Sequence, residues 1–182
     1  MGISTKFTYE DLKIIPPDRN RYEIVDGELF ATPAPRTLHQ IIVGNLFAEL
    51  RNHIRKHHLG RVFVAPVYVV FSQSTVVEPD VLFVSSLRLE IIGEKNLSGP
   101  PDLVIEVLSE SSRRLDREVK LKQCALHGVC EFWLVAPDEK NVEVFRLKEK
   151  EYELAGVLNF SEHLSSPLLP GLSLPVSTLW ES

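Results

Sequence analysis

The sequence predicts an α/β or α+β domain with a mixed central β-sheet flanked by helices. Three observations point that way. Stretches with helical spacing and stretches rich in β-formers follow one another in the order helix, strands, helix, strand, which builds a sheet covered by helices. The run "DLVIEVLS" (102–109) is too uniformly apolar over 103–108 for a half-exposed strand, and fits a central strand covered on both faces. The chain has 182 residues, 44% hydrophobic and 25% charged, which favours one domain with a well-buried core.

Each element can be argued in order. "TYEDLKIIPPDR" reads as a short helix with Thr8 as N-cap, Asp11 placed for a capping box, and Pro16 and Pro17 as the stop. "RYEIVDGELFATPA" reads as two strands around Asp26-Gly27, a strong hairpin signal. "TLHQIIVGNLFAELRNHIRKHH" carries Ile41, Ile42, Leu46, Phe47, Leu50 and Ile54 at helical spacing, with Gly60 as its stop. "RVFVAPVYVVF" and "STVVEPDVLFVSS" are β-rich. "SESSRRLDREVKLKQCALHG" predicts a second helix with a Ser-type start and Gly128 as its C-terminal stop. "CEFWLVAPDEKNVEVFRLKEKEYELAG" predicts a strand, a Pro-Asp turn and further strands. The tail "SSPLLPGLSLPVSTLW" has three prolines and is expected to wrap the surface and end in one short element. The expected organisation is an N-terminal helix and turn (1–20), a core (21–160) and a wrapping tail (161–182).

Composition excludes several classes. No apolar run approaches the roughly 20 residues a spanning helix needs. The start "MGISTKFTYEDL" lacks the basic and apolar regions of a secretory signal, and Lys6 stands where a myristoylation pattern on Gly2 wants Ser or Thr. A cytoplasmic protein is expected. Cys124 and Cys130 are too few and wrongly spaced for a CxxC zinc site and read as reduced thiols. A net charge of -5 argues against a generic nucleic-acid coat protein. It leaves room for an enzyme with a local basic surface, and two clusters exist, 51–61 and 113–122; on charge alone both read as solvated helix faces.

Glu106 inside the apolar run is the residue that needs a reason. Asp80, in "VVEPDVLFV", is also read as mid-strand. If the strands are neighbours, two carboxylates meet near one end of the sheet. That is unfavourable unless a divalent cation, a lysine or a shared proton joins them. Carboxylate oxygens and water are the usual ligands of Mg²⁺ or Mn²⁺. Asp116 and Lys120 lie four apart on the second helix, so Lys120 can reach back over the strand end; the plainer reading is a surface salt bridge. Glu23 in the first hairpin could complete a metal site or act as a base, or be an exposed hairpin acid. His39 near the start of the first long helix could contact phosphate or move a proton, or simply begin a helix.

Together these stretches resemble the Uma (Uma-two) family of the PD-(D/E)XK nuclease superfamily. The matching segments are "YEIVDGEL" (22–29), "PAPRTLH" (33–39), "EPDVLFV" (78–84), "PDLVIEVLS" (101–109), "DREVK" (116–120) and "GVCEFWLVAP" (128–137). Order and spacing fit from about residue 8 into the tail. The resemblance implies a restriction-endonuclease-like fold and a Mg²⁺- or Mn²⁺-dependent endonuclease hydrolysing phosphodiester bonds in DNA through metal-activated water. Asp80 and Glu106 would hold the metal with the backbone carbonyl of Val107; Lys120 would stand in for the superfamily lysine; Glu23 would be an accessory acid; His39 and Asp116 would support. The superfamily places its lysine two residues after the glutamate, where this chain has Leu108, so the lysine's position on the helix is inferred; Lys122 points elsewhere around that helix and is the weaker candidate. Cys124 replaces a helix tyrosine and Ala136 an acid before Pro137.

Three functions compete. The first is DNA cleavage, with RNA as another substrate. The second is a non-catalytic nucleic-acid-binding or regulatory module on the same fold, disfavouring cleavage if both basic clusters face away from the acids. The third is a structural role with a proton-sharing acid pair and no metal. A homodimer is conceivable through "VAPVYVVF" (64–71) or the tail. No membrane partner is expected.

Overall fold

The computed structural model describes residues 6–181; residues 1–5, which include Gly2, and Ser182 lie outside the described residues. Helix α1 (Tyr9–Leu12) begins as expected. The Asp11 carboxylate accepts the Thr8 backbone N–H at 2.7 Å and its hydroxyl at 2.8 Å. Strands β1 (Asn20–Val25) and β2 (Glu28–Pro33) pair antiparallel across Asp26-Gly27, whose φ angles of 51° and 85° make the primed turn that suits strand twist.

Helix α2 (Thr37–Lys56) buries Ile42, Leu46, Leu50 and Ile54 on one face. It stops before Gly60. His58 takes the left-handed conformation at φ 53°, and Gly60 instead opens β3 (Gly60–Val64), where a Cβ would collide with the Val84 carbonyl. The two β-rich runs each break in two at a proline, which has no N–H for a ladder. Pro66 separates β3 from β4 (Tyr68–Ser72). Pro79 separates β5 (Thr75–Val77) from β6 (Val81–Ser85). Asp80 therefore stands immediately before β6 and not in mid-strand.

After a 3₁₀ turn (Leu89–Ile91) come β7 (Asn96–Leu97) and β8 (Leu103–Val107). A π-helical stretch (Leu115–Lys120) runs into α3 (Leu121–His127), which ends at Gly128 with φ 89°. Then follow β9 (Glu131–Ala136), β10 (Asn141–Lys148), β11 (Glu151–Asn159), β12 (His163–Ser166), β13 (Leu169–Pro175) and a 3₁₀ turn (Val176–Trp180).

The expected mixed central sheet is present, with a second, five-stranded sheet besides it. One has the order β11-β10-β9-β8-β6-β3 and is mixed, because β8 and β9 run parallel while its other pairs are antiparallel. The other has the order β2-β1-β5-β4-β7. Residues 78–80 carry the chain from β5 in one sheet to β6 in the other. All five residues of β8 are buried, as a central strand requires. Leu103, Ile105 and Val107 pack with α2, while Val104 and Leu108 pack with Cys124, Phe132 and Leu134.

The tail does not wrap the surface. β12 and β13 form a hairpin whose Leu164, Leu169, Leu174, Val176 and Leu179 enter the main core beside α2. Its apolar residues alternate with polar ones, and burying one face is what that alternation serves. In the segment 64–71, Val69 is buried between β5 and β7, while Val64 is exposed. No helix among the described residues is long and apolar enough to cross a membrane.

Candidate active site

The register of β6 on β8 sets Val81 opposite Ile105 and Leu82 opposite Val104. Continued by one residue, it sets Asp80 opposite Glu106, with both side chains on the same face. The contacts agree. The Asp80 backbone N–H donates to Glu106 Oε2 at 3.3 Å, and the Val107 backbone N–H donates to Asp80 Oδ2 at 2.9 Å. The strand end that carries the Val107 carbonyl thus lies at the Asp80 carboxylate.

Three other elements close on this point. β1 brings Glu23, whose Oε1 accepts the Glu78 N–H at 2.7 Å. The first turn of α2 brings His39, whose Nε2 lies 3.0 Å from Asp80 Oδ2. The π-helical stretch brings Asp116 and Lys120. The Lys120 ammonium sits 2.5 Å from Glu106 Oε1, 2.9 Å from Glu23 Oε1 and 3.2 Å from Asp116 Oδ1. It is only 1% exposed, so the plain surface salt bridge is excluded. The link from β8 to this helix is short because the Ser109 hydroxyl accepts the Ser112 N–H at 3.2 Å, the expected Ser-type start. The Leu121 N–H reaches the Asp116 carbonyl five residues back, the signature of the wider turn, and such turns recur at functional sites.

Two site residues escaped the sequence reading. The Arg21 guanidinium donates from one Nη to Asp80 Oδ1 at 2.8 Å and pairs through Nε with Glu78 Oε1 at 3.0 Å. A signal was present. Arg21 and Glu23 are two apart on one strand, as Glu78 and Asp80 are two apart before another, so each pair shares a face.

A cavity of about 330 Å³ opens onto this group, lined among others by Tyr22, Pro33, Tyr68, Ser109 and the residues just named. Five buried acids, Glu23, Glu78, Asp80, Glu106 and Asp116, face two permanent cations, Arg21 and Lys120. Burial pushes the Glu106 carboxyl well above its usual range, and the charges of Asp116, Asp80 and Glu23 push the same way against Lys120. Burial also raises Asp116. Asp80 goes the other way. Burial would raise it, but the His39 hydrogen bond and the Arg21 charge together outweigh burial and hold it below the ordinary carboxylate range. Burial opposes the Lys120 charge, yet Glu106, Glu23 and Asp116 keep it a firm ammonium. One edge of the sheet end therefore favours a fixed carboxylate and the other a protonatable one. With Asp80 ionised, His39 Nε2 carries the hydrogen of their bond. The other ring nitrogen, Nδ1, is buried and has no partner.

The donor chemistry fits a hard divalent cation. Asp80 and Glu106 offer adjacent carboxylate oxygens at the end of one sheet, and the surplus negative charge needs a counter-ion. The same oxygens are engaged by Arg21, His39 and Lys120, and no group of three His, Cys, Asp or Glu among the described residues stands ready around one point.

The basic clusters part company. Residues 51–61 begin in the last turns of α2, about 18–26 Å along the helix from His39 at ~1.5 Å per residue. In 113–122, Lys120 is in the site, while Arg113 pairs with Glu139 and Arg117 with Glu143. Arg19 lines the cavity, while Arg36 borders a neighbouring one and pairs with Glu110. Cys124 is fully buried and its thiol is pushed up by burial, so it is an inert core group.

Comparison with known proteins follows the same lines. The sequence profile of the Uma2 family, described as "Putative restriction endonuclease", matches residues 8–177. The fold is similar to that of a crystal structure titled as a putative nuclease belonging to DUF820 from Anabaena variabilis ATCC 29413. The two superpose with a TM-score of 0.78 over 96% of this chain and 97% of that one, at 21% identity. No curated protein matches the sequence. A mixed α+β nuclease-like fold is thus common to both chains, and the acid and lysine group described above sits at the open end of its sheet.

Proposed function

The chain belongs to the Uma2 family, and from that membership and the site geometry we propose that it is a Mg²⁺-dependent endonuclease that hydrolyses phosphodiester bonds in DNA. The observation that carries the reading is the convergence of Glu23, Asp80, Glu106 and Lys120, from separate elements, at one end of a cavity. Asp80 and Glu106 are the residues that would hold the metal, with the Val107 carbonyl at the same strand end as the further oxygen donor. A bound divalent cation there would polarise a phosphoryl oxygen and lower the pKa of water.

The protein's own groups have separable tasks. Lys120 is locked by three carboxylates, so its ammonium can neutralise charge growing on a phosphoryl oxygen without having to reorganise. Glu23 and Asp116 hold that ammonium in place. His39 fixes Asp80 through Nε2. Arg19 on the cavity lining supplies positive charge for an approaching backbone. A cytosolic location suits the two free thiols.

Two facts favour the non-catalytic module as the rival reading: the net charge of -5, and the remoteness of the 51–61 cluster from the site. The test is Mn²⁺ and Mg²⁺ titration by calorimetry on wild type and Glu106→Ala, with circular dichroism to confirm the fold. Cleavage of supercoiled plasmid DNA with Mg²⁺ is then measured on both. Saturable binding and nicking, both lost in the variant, support the endonuclease. Metal binding without cleavage of DNA or RNA moves the chain to the binding module; no metal binding removes the proposed chemistry.

A further inference from the structure

Arg21 has a geometry that the proposed chemistry does not use. Its guanidinium bridges Glu78 Oε1 at 3.0 Å and Asp80 Oδ1 at 2.8 Å, and also reaches the Glu78 carbonyl at 3.3 Å. Asp80 has only two oxygens. Oδ2 is held by His39 Nε2 and the Val107 N–H, so Oδ1 is the atom open to a new ligand, and Arg21 occupies it. The site's second cation is held differently. The Lys120 side chain is 1% exposed and surrounded by three carboxylates, whereas the Arg21 side chain is 23% exposed. Arg21 also stands between two spaces. The main cavity of about 330 Å³ and a smaller one of about 130 Å³ are both bordered by Arg21, His39, Pro66, Glu78 and Asp80. A guanidinium on a flexible stem has room on either side and a route to solvent. Lys120 also lines the main cavity, but its ammonium is held by three carboxylates and its side chain is only 1% exposed.

We propose that Arg21 is a resident counter-ion, which a divalent cation displaces from Asp80 Oδ1 on binding. The inference rests on the metal reading above and deepens it. Arg21 keeps the buried acids neutralised in the metal-free protein, where leaving a buried carboxylate unpaired is strongly unfavourable. The same contact competes with the metal, so the cation affinity of this chain is set by Arg21 as well as by the carboxylates. On release the guanidinium stays tethered to Glu78 at the cavity wall.

The experiment is Mn²⁺ calorimetry on the full chain without nucleic acid, comparing wild type, Arg21→Gln and Arg21→Lys. Circular dichroism checks the fold of each. Removing a charge next to the open ligand oxygen is expected to tighten Mn²⁺ binding by about tenfold in Arg21→Gln. Arg21→Lys keeps the charge but loses the planar fork that donates from Nε to Glu78 and from Nη to Asp80, so it is expected to tighten binding by about threefold. A residue that merely held the site together would move affinity the other way. Equal or weaker binding in the variants, with wild type still binding, overturns the role of Arg21 and leaves the metal site standing. Absence of Mn²⁺ binding in all three folded proteins overturns the metal reading and this inference with it. If Arg21→Gln does not fold, Arg21→Lys decides alone, and affinity no tighter than wild type overturns the proposal.

Discussion

Lys120 is the residue on which the site's stability turns. A single ammonium at the bottom of the cavity is shared by Glu23, Glu106 and Asp116, and all four groups are nearly inaccessible to water. Removing one partner of such a group leaves uncompensated buried charge. Lys120→Ala is expected to lower unfolding free energy by about 3–5 kcal/mol in denaturant titration. A loss below about 1 kcal/mol would mean that water reaches the acids freely. Protonation gives a second handle. In metal-free protein the folded-state pKa of Glu106 is raised above 4.5 and that of Asp116 above 3.8. The folded state then keeps protons that the unfolded state has released, so stability falls as pH rises from those values. Asp80 is depressed, so its contribution is complete above 3.8 and is lost only as pH falls further. Lys120 is raised, so its contribution is present below 10.5 and persists. Among these four groups, the slope above pH 4.5 and below pH 10.5 therefore belongs to Glu106 and Asp116, and is negative. Glu106→Gln should flatten it when thermal melting is followed across that range in EDTA; an unchanged slope would show that Glu106 is ionised throughout.

At the scale of elements, the glycines separate two kinds of constraint. Gly128 ends α3 at φ 89° with open space around the position a Cβ would take, so only conformation opposes a side chain. Gly60 starts β3 at φ 150°, and a Cβ there would run into the Val84 carbonyl across the strand pair. Gly128→Ala is expected to cost about 1 kcal/mol. Gly60→Ala should cost clearly more, about 2 kcal/mol or above, because the β3–β6 ladder must shift as well. Equal losses in urea titration would contradict the contact. The helix that carries Lys120 shows how far pattern reading extends. Its Ser start, its Gly128 stop and the shared face of Asp116 and Lys120 were all readable from "SESSRRLDREVKLKQCALHG". Its π-helical turn was not, because hydrophobic periodicity averages over a window and does not register one widened turn. The β-rich runs were read correctly as strands. Their breaks at Pro66 and Pro79, and their assignment to different sheets, depend on which neighbours each fragment finds.

For the whole molecule, the tail is the main structural test. Leu164, Leu169, Val176 and Leu179 are fully buried and pack with α2 and β8. Truncation after Asn159 would remove them all. Each such loss costs about 2–5 kcal/mol, and a domain's total stability is about 5–15 kcal/mol. The truncated chain is therefore expected to lose its near-ultraviolet circular dichroism and its cooperative melt. Cooperative unfolding retained in that variant would restore the tail to the surface role its prolines first suggested. The charge layout is likewise a property of the whole. A -5 chain with its densest basic stretch at the far end of α2 brings little long-range attraction to the acid site, since fields are screened within about 8 Å at physiological salt.

The mixed α+β class, the β8 core strand, the first hairpin and the candidates Glu23, His39, Asp80, Glu106, Asp116 and Lys120 were all visible in the chain before any coordinates. They are local in origin: apolar periodicity, turn chemistry, and carboxylates in places where solvation cannot excuse them. What folding in three dimensions added was partnership. Arg21 and Glu78 look like ordinary surface residues until β1 and the 78–80 segment bring them against Asp80. Lys120 could have been a solvated i,i+4 pair until the short Ser109 turn swung it onto Glu106. The division follows from range. Propensity and pattern act over a few residues, whereas a buried charge finds its counter-ion among groups up to some hundred positions away, and only the packed sheets and helices settle which of them lie within 3 Å.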